Sequence, residues 1–271
     1  MKSFMLTLPA YFFLLLVTGS CKKEVIDEPA PNLANCRIVR EVYKSIQTTD
    51  NKDEIEKIEV DGRTVTIAKY WERRYTYDKE GRLYTAADFV SNIEGFRTQY
   101  TYQKGYIVAS TTLRGATSQD TIYLNPQGLA IVNTDSVRYD ENGFPVEFYF
   151  KEITVRKNTY VDDNLTTSRY TVLLEDITDK YIYNTSKLSL PNLHPYYGKL
   201  SKNLIIGYTQ TVNNSKYYPV GLVFEKNYKY IFDKFGRVSR RLASSRRINP
   251  LWPFQADPGG VGITDFEYDC P

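Results

Sequence analysis

Apolar and polar residues alternate along most of this chain with a period of two. In TVTIAKYWERRYTYD, Val65, Ile67, Trp71, Tyr75 and Tyr77 fall on odd positions, and Thr64, Thr66, Glu72 and Thr76 separate them. FPVEFYFK sets Phe144, Val146, Phe148 and Phe150 against Pro145, Glu147 and Lys151. LVFEKNYKYIF sets Leu222, Phe224, Tyr228, Tyr230 and Phe232 against Val223, Glu225, Asn227 and Lys229. Successive side chains of a strand point to opposite faces, so each run predicts a half-buried β-strand.

The runs are separated by a recurring turn. YTYDKEGRL (75–83), TIYLNPQGLA (121–130), VRYDENGFPV (137–146) and YIFDKFGRV (230–238) align on their glycines. Asp78, Asn125, Asp140 and Asp233 then stand three positions before Gly81, Gly128, Gly143 and Gly236. Asn or Asp first and Gly fourth, with Pro tolerated second, is the pattern of a type I turn closed by a residue with positive φ. Followed by another strand, it predicts a hairpin whose glycine makes a G1 bulge. VDGR (60–63) and YQKGY (102–106) predict tighter turns of the same meander. The chain is thus expected to be all-β, with on the order of a dozen strands. Short loops force antiparallel neighbours, and a sheet of more than about ten strands must curl, split or close. The prediction is a large up-and-down meander of hairpins in a curved or barrel-like sheet.

One segment interrupts this pattern. Between Asp176 and Asn203 the alternation fades, and Pro191, Pro195 and Gly198 appear. The reading is one long irregular excursion, and long loops within compact domains are usually functional or disordered. It carries the single histidine, His194, beside Tyr196 and Tyr197, which makes these three the candidate ligand-binding residues.

The N-terminus changes the picture of where the chain resides. Lys2 precedes an apolar stretch over residues 4–17, of signal-peptide length and short of a membrane span. VTGSC follows, and it resembles the bacterial lipobox, in which the cysteine is acylated after cleavage just before it. Residues 1–20 are read as a lipoprotein signal peptide, Cys21 as the lipidated residue, 21–35 as a flexible tether and 36–271 as a single β-meander domain. Two or three acyl chains hold a protein at a membrane where one holds it only marginally. Lys22 and Lys23 stand where an acidic surface-export run would be, so periplasmic and surface placements at the outer membrane both stay open. With Cys21 consumed, Cys36 and Cys270 are left at opposite ends of the domain. In an oxidising envelope they either pair, closing the domain, or stay as two partly buried thiols.

Composition narrows the function classes. A formal charge of +3 with 25% charged residues leaves no electrostatic footprint for nucleic acid. The unusual figure is 24 tyrosines against one histidine, an enrichment that fits pleated, half-exposed surfaces. No HExxH, GxSxG, P-loop or CxxC pattern occurs, so the chain is expected to be non-enzymatic, with no cofactor or metal. Asp162, Asp163, Glu175, Asp176 and Asp179 read as solvated hairpin ends, and SRRLASSRRI (239–248) as a charged strand flank.

The lipobox, the YDxxGR-type turns, the late Tyr-rich strand pair ending in FDKFGRV and the segment between them resemble a family of Bacteroidales-type lipoproteins. That family is a domain of unknown function with a porin-like fold, and its hairpins resemble the tyrosine-aspartate repeats of large bacterial shell proteins. The resemblance implies an envelope protein with a barrel-like sheet and brings no catalytic residues. Lys, Arg and Glu at many outward strand positions point to a soluble barrel on a lipid tether rather than a spanning one. The expected function is a lipid-anchored, non-enzymatic binding module for a glycan, peptide or partner protein. The alternative is a carrier of an apolar molecule such as a lipid in a cavity of the curled sheet.

Overall fold

The computed structural model describes residues 36–48, 53–131, 137–150, 153–172, 174–251 and 260–270. The signal segment, Cys21 and the tether fall outside the described residues. Among the described residues, seventeen strands form one antiparallel sheet. They are β1 (Arg37–Ile46), β2 (Asp53–Val60), β3 (Arg63–Tyr77), β4 (Leu83–Val90), β5 (Ile93–Gln103) and β6 (Tyr106–Leu113). Next come β7 (Ala116–Leu124), β8 (Ala130–Ile131), β9 (Val137–Tyr139), β10 (Pro145–Phe150), β11 (Ile153–Val161) and β12 (Asn164–Val172). The last are β13 (Glu175–Leu188), β14 (Asn203–Asn214), β15 (Gly221–Phe232), β16 (Val238–Arg247) and β17 (Val261–Asp269).

The sheet is nearly closed. β1 pairs with β3 on one side and β17 on the other. From β3 the ladder runs through β4 to β8, and from β17 it runs back to β9. Its two ends are consecutive in the chain, and across them the Tyr139 hydroxyl donates to the Ala130 carbonyl at 3.3 Å. β2 stands apart from this ring, because it pairs with residues 63–69 of β3 while β4 takes residues 72–77. The strand total exceeds the dozen expected partly because β8 and β9, of two and three residues, are too short to show a period.

The recurring turns form as their residues dictate. In the first, the Gly81 N–H donates to the Asp78 carbonyl at 2.9 Å and the Arg82 N–H to Asp78 Oδ1 at 2.8 Å. Gly81 has φ +83°, a left-handed conformation that costs glycine nothing. The turns at Asn125, Asp140 and Asp233 repeat this geometry. All four lie on one rim of the barrel, as do the start of β1 and the end of β17. There Cys36 and Cys270 are joined in a disulfide, with their Cα atoms 4.2 Å apart.

The tyrosines have a structural use at the same rim. One extra residue bulges near the start of each of six strands: Val39, Tyr84, Val146, Thr166, Ile206 and Ser239. The ladder to the following strand then begins only beyond the bulge, at Arg40, Thr85, Glu147, Thr167, Gly207 and Arg240. The carbonyl just before each bulge is left without a ladder donor. A tyrosine hydroxyl on the following strand supplies one: Tyr77 to Ile38, Tyr102 to Leu83 and Tyr160 to Pro145. Tyr183 serves Leu165, Tyr230 serves Ile205 and Tyr268 serves Val238, and the six distances span 2.5 to 3.4 Å. Burial pushes the Tyr77, Tyr102, Tyr160 and Tyr230 hydroxyls up to about 12, so they remain donors at neutral pH.

A net hydrogen bond is worth about 1 kcal/mol, and an acceptor orphaned in the interior costs about 1–3 kcal/mol. Tyr230→Phe should therefore lower stability by about 1–2 kcal/mol in urea melts. Tyr123→Phe, which alters an exposed tyrosine outside the series, should change it by less than about 0.5 kcal/mol. Equal effects at the two positions would count against the stapling role.

The two faces differ in chemistry. Ile38, Tyr75, Leu83, Val238 and Phe266 form an inner apolar cluster at the stapled rim. Asp265 and Glu72 alternate with inward Phe266 and Arg73, and so lie on the outer face. There, beside β2, Lys44 meets Asp265 at 3.0 Å, Lys69 meets Glu72 at 2.6 Å and Arg240 meets Glu56 at 2.9 Å. The unbroken odd-position face of TVTIAKYWERRYTYD therefore needs correction. A bulge at Tyr70 turns the strand over, so that Ile67 and Trp71 lie on opposite faces.

Candidate functional site

The excursion is shorter than its sequence suggests. β13 continues as a strand to Leu188, with Ile177, Asp179, Tyr181 and Tyr183 turned inward, and only residues 189–202 leave the ring. The Ser189 N–H donates to the Lys202 carbonyl at 2.9 Å, so the ends of the loop meet as in a compact Ω-loop.

The loop is fastened across the mouth of the barrel. Its exit is held by Asn164 and Asn203, each side-chain oxygen accepting from the other residue at 2.9 Å. Ser201 Oγ accepts from the Leu165 N–H at 3.0 Å. On the opposite side the Lys199 N–H donates to the Gly143 carbonyl at 2.9 Å, which gives one of the predicted turns a second use. Gly198 makes this approach feasible: its φ is +98°, and a Cβ there would stand 2.9 Å from both the Gly143 oxygen and the Tyr139 ring. Leu190 and Leu193 pack on the Ile38 cluster, while Tyr196 joins Ile107 and Ala130 on another part of the wall.

The three candidate residues thus divide. Tyr196 is 5% exposed and packs in the core. Its hydroxyl lies 2.8 Å from His194 Nδ1, and the His194 ring meets Tyr100 edge-on with centroids 5.6 Å apart. Burial, reinforced by the Arg73 charge, lowers the His194 pKa and favours neutral imidazole. Tyr197, 46% exposed, borders the cleft between loop and wall, with its ring tilted by 55° to that of Tyr196 and the centroids 4.6 Å apart.

Between loop and wall lies a cleft of about 500 Å³. Ile38, Pro145 and Leu165 line it from the wall, and Leu190, Pro191 and Leu193 from the loop. Polar side chains also border it, from Glu41, Tyr160, Asn192, His194, Tyr197, Lys199 and Ser201. The Tyr160 hydroxyl and Ser201 Oγ are engaged with Pro145 and Leu165, and His194 Nδ1 with Tyr196. Glu41 accepts from the Tyr75 hydroxyl at 3.0 Å. Burial raises the Glu41 carboxyl, against the pull of Tyr75, Arg241 and Arg73. Arg73 is itself held by Asp88, with its Nη2 2.6 Å from Oδ2. Sequence reasoning missed Glu41, Leu165 and Ile38, which lie far from the excursion in the chain and carry no local signal.

Two other expectations change. Asp162, Asp163 and Asp176 are exposed, whereas Glu175 and Asp179 are buried. Burial raises the Asp179 carboxyl, which accepts from Gln210 at 3.1 Å. SRRLASSRRI is nearly all strand: Arg240 pairs with Asp265, Arg246 with Glu225, and Arg241 turns inward to Thr264.

No family model matches the chain. No curated protein matches it either. Among solved structures it is similar to a porin-like protein from Bacteroides uniformis, at 15% identity and a TM-score of 0.49, over 86% of this chain and 96% of that one. It is also similar to a porin-like protein from Bacteroides vulgatus, at 10% identity and a TM-score of 0.28, over 86% of this chain and 98% of that one. Nothing about function passes from either to this chain.

Proposed function

We propose that this is a lipid-anchored, non-enzymatic protein of the bacterial cell envelope that binds a small ligand with an apolar body in the cleft between mouth loop and wall. The cleft carries this reading: its exposed lining is mostly apolar, and it falls in the size range of small-molecule sites. Glu41 and the Nε2 side of His194 suit a ligand with one hydrogen-bonding head. The staple tyrosines and Tyr196 are committed to carbonyls and core, which favours the cleft over a tyrosine-lined glycan surface. The lipobox supports the anchor, and the chain enters the barrel at Cys36, on the rim where the cleft lies. Exposed Arg97, Lys157, Lys180 and Lys229 on the outer wall support a barrel that stands in water, since a spanning barrel presents an apolar band outward.

The test is titration of the Cys21→Ala protein with N-phenyl-1-naphthylamine, excited outside the tryptophan band. Saturable enhancement is expected, reduced at least tenfold in affinity by Leu165→Trp, which fills the cleft. Enhancement that Leu165→Trp leaves unchanged, or no enhancement at all, would overturn the proposal.

A further inference from the structure

The cleft changes chemistry towards its floor. It runs from Ile38 at the rim to Glu41, three residues further along β1 and roughly 10 Å below. Glu41 stands opposite Phe266 of β17, and Arg241 of β16 pairs with Thr264, the next inward residue of β17. Arg240 turns outward to Asp265, so the Arg241 side chain points into the barrel. Its guanidinium lies 5.9 Å from the centre of the Phe266 ring and 5.8 Å from that of Tyr228. It is near enough to Glu41 to favour that carboxyl's charged form.

Arg241 is an inward cation without an ion-pair partner. Its side-chain hydrogen bond runs from Nη2 to Thr264 Oγ1 at 3.1 Å, and no carboxylate among the described residues reaches ion-pair distance. Arg73, on the other side of Glu41, differs, because Asp88 holds it through both carboxylate oxygens. Glu41 does not close on Arg241 either, and accepts instead from the Tyr75 hydroxyl at 3.0 Å. A guanidinium carries several N–H donors in a planar fork that matches a carboxylate, so most of those on Arg241 are left for water or a ligand. Withdrawing such a charge from water is costly when it stays unpaired, and two parallel hydrogen bonds to an anion offset much of that cost.

We propose, building on the cleft reading above, that the ligand is a single-chain amphiphile with a carboxylate head, its tail beneath the mouth loop and its head against Arg241. Ile38 and Leu165 on the wall, with Leu190 and Leu193 on the loop, receive the tail. An ionised Glu41 would repel the head, but burial favours the neutral carboxyl, which can donate to it. An ammonium head would instead meet Arg241 as a like charge.

The test is calorimetric titration of the Cys21→Ala protein with dodecanoate and with dodecyltrimethylammonium, each below its micelle concentration. These probes share a chain and differ in head charge. The parent protein should bind dodecanoate at least tenfold more tightly than the ammonium. Arg241→Met should remove that preference, and Arg241→Lys, which keeps the charge without the planar fork, should retain part of it. Glu41→Gln deletes the competing negative charge and should leave the preference at least as large. Equal binding of the two probes, tighter binding of the ammonium, or a preference that survives Arg241→Met would overturn the assignment. Binding of N-phenyl-1-naphthylamine with none of dodecanoate would overturn it too, while leaving the cleft reading in place. Failure of both to bind would overturn both.

Discussion

Removing the Cys36–Cys270 bond, by Cys36→Ser with Cys270→Ser or by reduction, lowers stability by about 5 kcal/mol on the chain-entropy account. The bond joins residues 234 apart, so it excludes a large share of the open conformations of the unfolded chain. In the folded protein it changes little. β1 and β17 are already paired beside it, from Arg37 with Asp269 to Ser45 with Gly262, and the apolar contacts of Ile38 with Phe266 remain. The loss should therefore appear in urea unfolding as a lower midpoint, with circular dichroism of the folded protein unchanged. The serine variant and the reduced parent should agree. A shift below about 1 kcal/mol would show that the unfolded chain is restrained by other means.

The second large effect belongs to Glu72. This carboxylate is fully buried, and its oxygens accept from Lys69 Nζ at 2.6 Å, Arg40 Nη2 at 2.5 Å and Arg74 Nε at 2.6 Å. Burial alone would raise its pKa, but the hydrogen bonds from Lys69, Arg40 and Arg74 outweigh burial and hold it at about 2. Glu72→Gln leaves these cations crowded without their anion, and breaking a buried pair in this way costs about 3–5 kcal/mol. Lys69→Met combined with Glu72→Leu should recover much of that loss, because apolar replacements of similar volume are often neutral.

The pH dependence follows with a definite sign. A carboxyl depressed in the folded state contributes stability that is present above its unfolded pKa, near 4.5, and lost as pH falls towards about 2. The stability difference between the parent protein and Glu72→Gln should therefore shrink across that window. A constant difference from pH 7 to pH 2 would mean that Glu72 acts by packing rather than by charge.

Much of this architecture is legible in the sequence because it is local. Asp78 and Gly81 make their turn with neighbours four residues away or fewer, so YTYDKEGRL announces a corner. Tyr77, in the same string, does not announce its use, since its acceptor Ile38 is 39 residues away and exists only once β1 bulges. The tyrosine count is plain, but its purpose depends on register. β13 was obscured because a buried Asp179 occupies an inward position where an apolar residue would have kept the period visible. His194 and Tyr197 could be placed in an irregular segment, but Glu41 and Leu165 line the cleft only after distant strands close the ring.

The ring also fixes an order of assembly. Each hairpin from β3 onward can pair with a neighbour just synthesised, but the free side of β1 has to wait for β17, which is last to arrive. Until then the chain carries an incomplete barrel with an unsatisfied edge, and closure must bring together two segments separated by nearly its whole length. Such a contact makes folding slow. The most exposed stage of its folding therefore comes when the other strands of the ring are in place and only β17 is missing.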